Sequence, residues 1–185
     1  MNRHRRIAVA CAAIISVAWL PARAESGSVA PNTPRSLVVL DFELVDDQNN
    51  PLTKAAQEIR LRNATRQIQQ ELKERRLYRV VDPASSVELQ RYLRSEQEYL
   101  FRCDDCAAQV GRQMGVDLVM ATWVQKVSEL ILNLNVQIYD VKAQKVVFSK
   151  SVDMRGNEDM SWTRAVRYLV REMAEKRERD PQYGQ

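Results

Sequence analysis

Histidine is almost missing from this chain. The single one is His4, and it lies in a stretch that reads as a removable leader. A folded part without histidine has no imidazole to ligate zinc and no imidazole base for a hydrolytic triad. Glycine is also scarce: Gly27, Gly111, Gly115, Gly156 and Gly184 are all there are. None of them forms a G-x-G-x-x-G or P-loop spacing, so no phosphate cradle or nucleotide fingerprint is expected. Beyond residue 24 no apolar run approaches the ~20 residues that a membrane span requires. Cysteine is limited to Cys11, Cys103 and Cys106, and only the last two belong to the part that folds.

The start of the chain explains its charge. Arg3, His4, Arg5 and Arg6 make a basic n-region, residues 7–20 an apolar h-region, and Ala22-Arg23-Ala24 a small-x-small cleavage site. Residues 1–24 therefore read as a secretory signal that leaves Glu25 first. Its apolar run is short for an anchor. Too little apolar sequence precedes Cys11 for a lipidation signal, and the surroundings of Arg5-Arg6 do not suit a twin-arginine route. The leader carries four bases and no acid. The 28 basic and 24 acidic side chains thus become 24 of each. The pI near 9.1 is a property of the precursor and gives no reason to expect a nucleic-acid partner. The remaining 161 of 185 residues suit one domain. The expected division is a flexible leader over 25–35, with Pro31 and Pro34, then one α/β domain over 36–177 and a frayed tail over 178–185.

What is present is a strand of unusual clarity. Within 130–141, Leu130, Leu132, Leu134, Val136 and Ile138 alternate with Ile131, Asn133, Asn135, Gln137 and Tyr139. Period two places these sets on opposite faces, one of them fully apolar. Apolar runs flank it, so 117–127, 130–140 and 145–154 read as an antiparallel meander. Upstream, the unbroken apolar run Leu37 to Leu40 predicts a strand over 36–44 buried on both faces. A polar loop with Asp46, Asp47, Asn49 and Asn50 follows. It could hold a cation, although no calcium-type spacing is present.

Residues 53–76 are the longest helix candidate, with Thr53 as its cap and Leu61, Ala64, Ile68 and Leu72 as its inner stripe. A strand over 77–82 ends at Pro83. A helix over 84–95 has Ser85 or Ser86 as its expected cap, and Glu88 could close a capping box with Ser85. A helix over 105–114 stops at Gly115. A last helix over 161–177 carries Trp162, Val166, Leu169, Val170 and Met173 inward. The expected fold is α/β: a mixed five-stranded sheet in the order β-α-β-α-α-β-β-β-α, with flanking helices. Its first two strands are joined by a right-handed crossover.

Candidate chemistry is sparse. Cys103 and Cys106 frame a CxxC at a helix start. A structural disulfide is one reading; a redox dithiol and metal-binding or free thiols are the others. Asp104 and Asp105 oppose thiolate formation. Asn133, Asn135, Gln137 and Tyr139 make a polar strand face, either solvated sheet or a partner surface. Arg164, Arg167 and Arg171 share a helix face that could meet an acidic surface. Trp123, Trp162 and Tyr168 read as core or rim aromatics. Asp41, Asp117, Asp140 and Asp153 stand near strand ends without a spacing that pairs them. No catalytic residue, metal site or cofactor is expected.

Several stretches carry a resemblance: LVVLDFEL near 37–44, LYRVVDP at 77–83, CDDC, GVDLVMATWVQKVSELILNLNVQIYDV at 115–141 and SVDMRGNEDMSWTRAVRYLVRE at 151–172. They are similar to a family of small secreted bacterial proteins classed as a domain of unknown function. The resemblance implies an association with periplasmic quinoprotein oxidation systems. The order of elements also resembles the domain of curli-export lipoproteins, the N-terminal domain of the periplasmic Tol translocation protein, and the lipoprotein activators of penicillin-binding proteins. Those work by protein–protein contact. This chain departs from the lipoproteins in lacking a lipobox cysteine, which puts lipid anchoring in doubt. The implied function is a non-catalytic periplasmic binding or assembly accessory. Its partner would be another envelope protein, with no stable membrane span after signal cleavage. A thiol redox protein using Cys103 and Cys106, or a small-ligand sensor, are the alternatives.

Overall fold

The strands and helices follow in the order β1 (Ser36–Val39), β2 (Glu43–Asp46), α1 (Pro51–Glu74), β3 (Arg79–Val81), α2 (Val87–Glu96), α3 (Cys106–Met114), β4 (Leu118–Lys126), β5 (Ile131–Asp140), β6 (Lys145–Arg155) and α4 (Asp159–Arg179). The structure, a computed structural model, describes residues 33–185 apart from 47, 49 and 104. The signal over 1–24 and nearly all of the leader lie outside the described residues. Short 3-10 turns at Pro83–Ser86 and Leu100–Arg102 lead into α2 and towards α3.

Five positions cross the sheet, in the order β3-β1-β4-β5-β6, with β2 also paired to β4. β1 runs parallel to β3 and β4, and the meander β4–β5–β6 is antiparallel. The expected mixed sheet is thus formed, with one difference. The strand predicted over 36–44 is two strands. Val39 stands opposite Met120 and Glu43 opposite Trp123, so the first segment holds one residue more than β4 between these points. This is a bulge. The Phe42 N–H leaves the ladder and donates to Thr65 Oγ1 of α1 at 3.0 Å.

Both sheet faces carry core. On one, Leu132, Leu134, Val136 and Ile138 of β5 share a core with Ile68 and Leu72 of α1 and the α4 stripe Trp162, Val166, Leu169, Val170 and Met173. On the other, Val38, Leu40, Val119 and Ala121 pack with Leu93, Leu100, Cys106 and Val110 beneath α2 and α3. A Cβ on Gly111 would stand 2.3 Å from Val141 Cγ2, so α3 needs a glycine there to lie this close to the sheet. Gly115, at φ 62°, closes α3 as its position predicts.

Three chain ends differ from expectation. α1 is capped by Asn50, whose side chain accepts the Leu52 N–H at 3.0 Å, and not by Thr53. Pro51 suits the first helical position because it lacks the N–H that would go unpaired. The Ser85–Glu88 box does not form. Asp82 accepts the Ala84 N–H at 2.9 Å instead, and Ser86 precedes α2 without a side-chain cap bond. The last residues fold back rather than fray. The Tyr78 hydroxyl donates to the Gly184 carbonyl, the Arg177 guanidinium lies 4.4 Å from the Tyr78 ring centre, and the Tyr183 ring meets Phe148 edge-on. Among the described residues no helix is long and apolar enough to cross a membrane.

Candidate functional site

The packed cluster beneath α2 and α3 contains no residue of β5 or β6. On that side the outer half of the sheet is left as a polar floor. Strand pairing lays it out in rows. Asn133 lies between Gln125 and Asp153, Asn135 between Trp123 and Ser151, and Gln137 between Ala121 and Ser149. Asn133 donates to Asp153 Oδ1 at 2.6 Å, and Asn135 donates to the Asn133 carbonyl at 3.0 Å. Tyr139 continues the same face opposite Val119. An aromatic wall borders the floor. Trp123 stacks on Phe101 with ring centres 4.2 Å apart and planes within 2°. Tyr99 tilts against Phe101, and the Arg102 guanidinium lies over both rings. Hydrogen-bonded amides beside stacked rings and an arginine are what protein interfaces favour at their centres.

Arg164, Arg167 and Arg171 do not join this floor. All three are exposed on α4, which packs on the opposite sheet face. Arg171 lies over the Tyr168 ring and 3.6 Å from Glu175. The two groups of candidate residues are two surfaces, separated by the sheet.

Cys103 and Cys106 are bonded, with Cα atoms 5.4 Å apart. Cys106 is fully buried and opens α3, and Cys103 packs against the same apolar cluster. Replacing both cysteines by alanine is expected to lower stability by about 2 kcal/mol, from the chain entropy of so short a loop. Urea unfolding of the oxidised chain and the double variant measures it.

Of the strand-end aspartates, Asp117, Asp140 and Asp153 are tied into the fold by hydrogen bonds, and Asp41 is exposed. Asp117 accepts the Ser36 hydroxyl at 2.6 Å and its N–H at 2.8 Å, which together hold its carboxyl below the usual range. Asp140 takes the Ala143 N–H at 2.7 Å and Arg35 at 2.8 Å. Burial pushes Asp140 up, but these bonds outweigh it. Among the described residues no group of three or more His, Cys, Asp or Glu is placed to hold a metal ion.

Two charge networks had escaped the sequence reading. Lys126 is wholly buried, and its Nζ reaches Asp46 at 3.0 Å and Glu129 at 2.6 Å. Glu129 also accepts from Asn157, whose Oδ1 takes the Trp162 indole N–H at 2.9 Å. The signal for this was available: Lys126 shares the inward parity of Leu118, Met120 and Val124 on β4. The second network centres on Glu172, which is 2.9 Å from Lys150 and 2.7 Å from Lys176. The bonds from Lys176 and Lys150 hold its carboxyl down at about 2, from an ordinary 4.5. Unfolded chains protonate this group first as the pH falls. Its stabilisation is therefore complete above about 4.5 and fades between 4.5 and about 2. Glu172→Gln is expected to flatten that part of the stability profile, as urea midpoints taken across the acid range will record.

Residues 35–173 match DUF3280, described as a protein of unknown function (DUF2380). The chain belongs to this family. No curated protein matches it. Among solved structures the fold is similar to three further proteins. The LpoB C-terminal domain from Salmonella enterica is 16% identical, over 66% of this chain and 84% of that one, at a TM-score of 0.44. The PelC dodecamer from Paraburkholderia phytofirmans is 11% identical, over 82% and 89%, at 0.46. TolB from Acinetobacter baumannii is 9% identical, over 82% of this chain and 30% of that one, at 0.48. Identities and scores this low show likeness of shape at most, so function is read from the residues of this chain.

Proposed function

We propose that this family member is a non-catalytic binding or assembly protein of the periplasm, and that another envelope protein docks on the open face of β4, β5 and β6. One observation carries the reading. Among the described residues no helix covers β6 and most of β5 on one sheet face, where Asn133, Asn135 and Asp153 are already ordered by their own hydrogen bonds beside the Phe101–Trp123 stack. A surface ordered in advance loses little conformational freedom on binding. The leader over 1–24 supports export, and a disulfide suits an oxidising compartment. The finer reading, implied by the family resemblance, is that the partner belongs to a quinoprotein oxidation system.

The alternatives fit the geometry less well. A redox CxxC attacks through an accessible thiolate; here Cys106 is fully buried, and the half-buried Cys103 lies two residues from Asp105, whose charge opposes a thiolate. A reduction potential below about −300 mV would mark the bond as structural. A small-ligand sensor needs a deep apolar chamber beside the meander; the cleft there, about 550 Å³ between β6 and α4, is lined largely by polar and charged side chains such as Lys150, Asp153, Arg155 and Arg164.

Pull-down from periplasm with tagged chain, followed by mass spectrometry, tests the proposal. Asn135→Lys combined with Ser151→Lys is expected to reduce capture of the partner about tenfold, by burying unpaired charge at the interface. Replacing Arg164, Arg167 and Arg171 by serine should leave capture unchanged. Loss of capture with the arginine variant alone would move the site to α4. Reproducible absence of any partner, together with thiol oxidoreductase activity, would overturn the reading.

A further inference from the structure

The opposite edge of the sheet offers a second surface. β3 ends the strand order, and among the described residues it pairs only with β1. The Arg79 N–H donates to the Arg35 carbonyl at 3.0 Å. Backbone groups of successive strand residues point to alternate sides, so the N–H and C=O of Val80 point away from β1 to the open edge. A groove of about 760 Å³ runs beside that edge, between β3 and α1. Arg62, Arg66 and Lys73 line one wall, Val80 lies on the other, and Asp41 and Asp82 complete its charges. Asp82 is already engaged by the Ala84 N–H. The three cations are exposed, and none of them forms an ion pair with a carboxylate among the described residues. Arg66 reaches only the neutral amide of Asn63.

Spacing adds to this. Arg66 lies four positions along the helix from Arg62, a rise of about 6 Å. Alternate residues of a strand are about 6.8 Å apart on one face. Two acidic side chains at alternate positions of an extended segment can therefore meet Arg62 and Arg66 in turn, while the segment's backbone pairs with Val80.

We propose that this groove binds an extended acidic segment of a partner protein, which joins the sheet as a new strand beside β3. Backbone pairing to the free edge would supply affinity, and the arginines on α1 would supply selectivity for acidic side chains. The site lies at the far edge of the sheet from β6, so it stands whether or not the open face binds anything.

The peptide acetyl-Thr-Glu-Val-Glu-Val-Thr-amide is a suitable probe. Titrated into the isotope-labelled chain, it is expected to shift the Val80 and Val81 amides and the Arg62 and Arg66 side-chain signals, saturably. Replacing its glutamates by lysines should weaken binding about tenfold or more, since each carboxylate loses a charge-assisted bond. N-methylating its central valine blocks strand pairing without touching the protein, and a similar loss is expected. Arg62→Glu with Arg66→Glu should reverse the preference, favouring the lysine peptide. Both positions are exposed, so the fold should persist, and amide dispersion will show whether it does. Equal binding of the two peptides would overturn the proposal. So would indifference to N-methylation, shifts confined to the open β5–β6 face, or no binding at all.

Discussion

Lys126→Ala is expected to remove about 3–5 kcal/mol of folding stability, the range seen when one member of a buried ion pair is deleted. The Lys126 side chain is 0% exposed, and that of Asp46 only 8%. Burial alone would favour the neutral amine. The bonds to Glu129 and Asp46 outweigh it, and the ammonium is held more firmly than usual. Burial likewise pushes Asp46 up, and the Lys126 bond and charge, with the Gln48 and Gln57 bonds, together more than reverse it. Without the ammonium, Asp46 keeps the Gln48 N–H at 3.1 Å and a long contact from Gln57 at 3.5 Å. Those are too little to solvate a carboxylate away from water. Lys126→Met combined with Asp46→Asn removes both charges and should recover much of the loss. Equilibrium urea unfolding at neutral pH gives both numbers. A loss below about 1 kcal/mol for Lys126→Ala, as exposed pairs give, would mean that water reaches the site.

The network has a geometric role as well. Lys126 joins β2 to the β4–β5 hairpin. Glu129 and Asn157 exchange two further bonds there, through the Asn157 side chain and its backbone N–H. The turn is thereby fixed, although its Val127, Leu130 and Ile131 side chains are exposed.

What could be read in advance follows from how each feature is encoded. Alternation along 131–140 and the stripe on α4 reflect single elements, and both faces fell where their periods put them. The bulge between Val39 and Glu43 had no such signature, because an unbroken apolar run looks alike with or without an extra residue. Its cause, the bond from Phe42 to Thr65, joins residues from two different elements. Asn50 and Thr53 are both good cap types, and the choice turned on Pro51. How the Asn133 face and the Arg164 face lie to one another was hidden for a related reason. Periodicity tells which side of an element is inward, but only the packing of α4 tells which face of the sheet that side meets. Lys126 was legible and passed over. A charged residue at inward parity needs a partner, and Glu129 is the nearest acid, whereas Asp46 arrives only through the β2–β4 pairing.

Trp162→Ala is expected to lower stability by about 3–5 kcal/mol, as large aromatic truncations in cores do. Trp162 is 3% exposed and packs in the cluster that joins α4 to β5. Its indole N–H is also the donor that occupies Asn157 Oδ1, so the mutation removes both packing and a buried bond. Trp162→Phe separates the two. It keeps most of the apolar contact and forfeits the bond, so a loss of about 1–2 kcal/mol is expected. The same bond predicts coupling to Lys126. Trp162 orients Asn157, Asn157 orients Glu129, and Glu129 holds Lys126. Once Lys126 is gone, the indole bond orients a chain that has lost its end. The double variant Lys126→Ala with Trp162→Phe should then lose less than the two single losses added, by about 0.5 kcal/mol or more. Strict additivity in a urea-monitored double-mutant cycle would show instead that packing of the indole ring, and not its N–H, is what fixes the start of α4 against the hairpin.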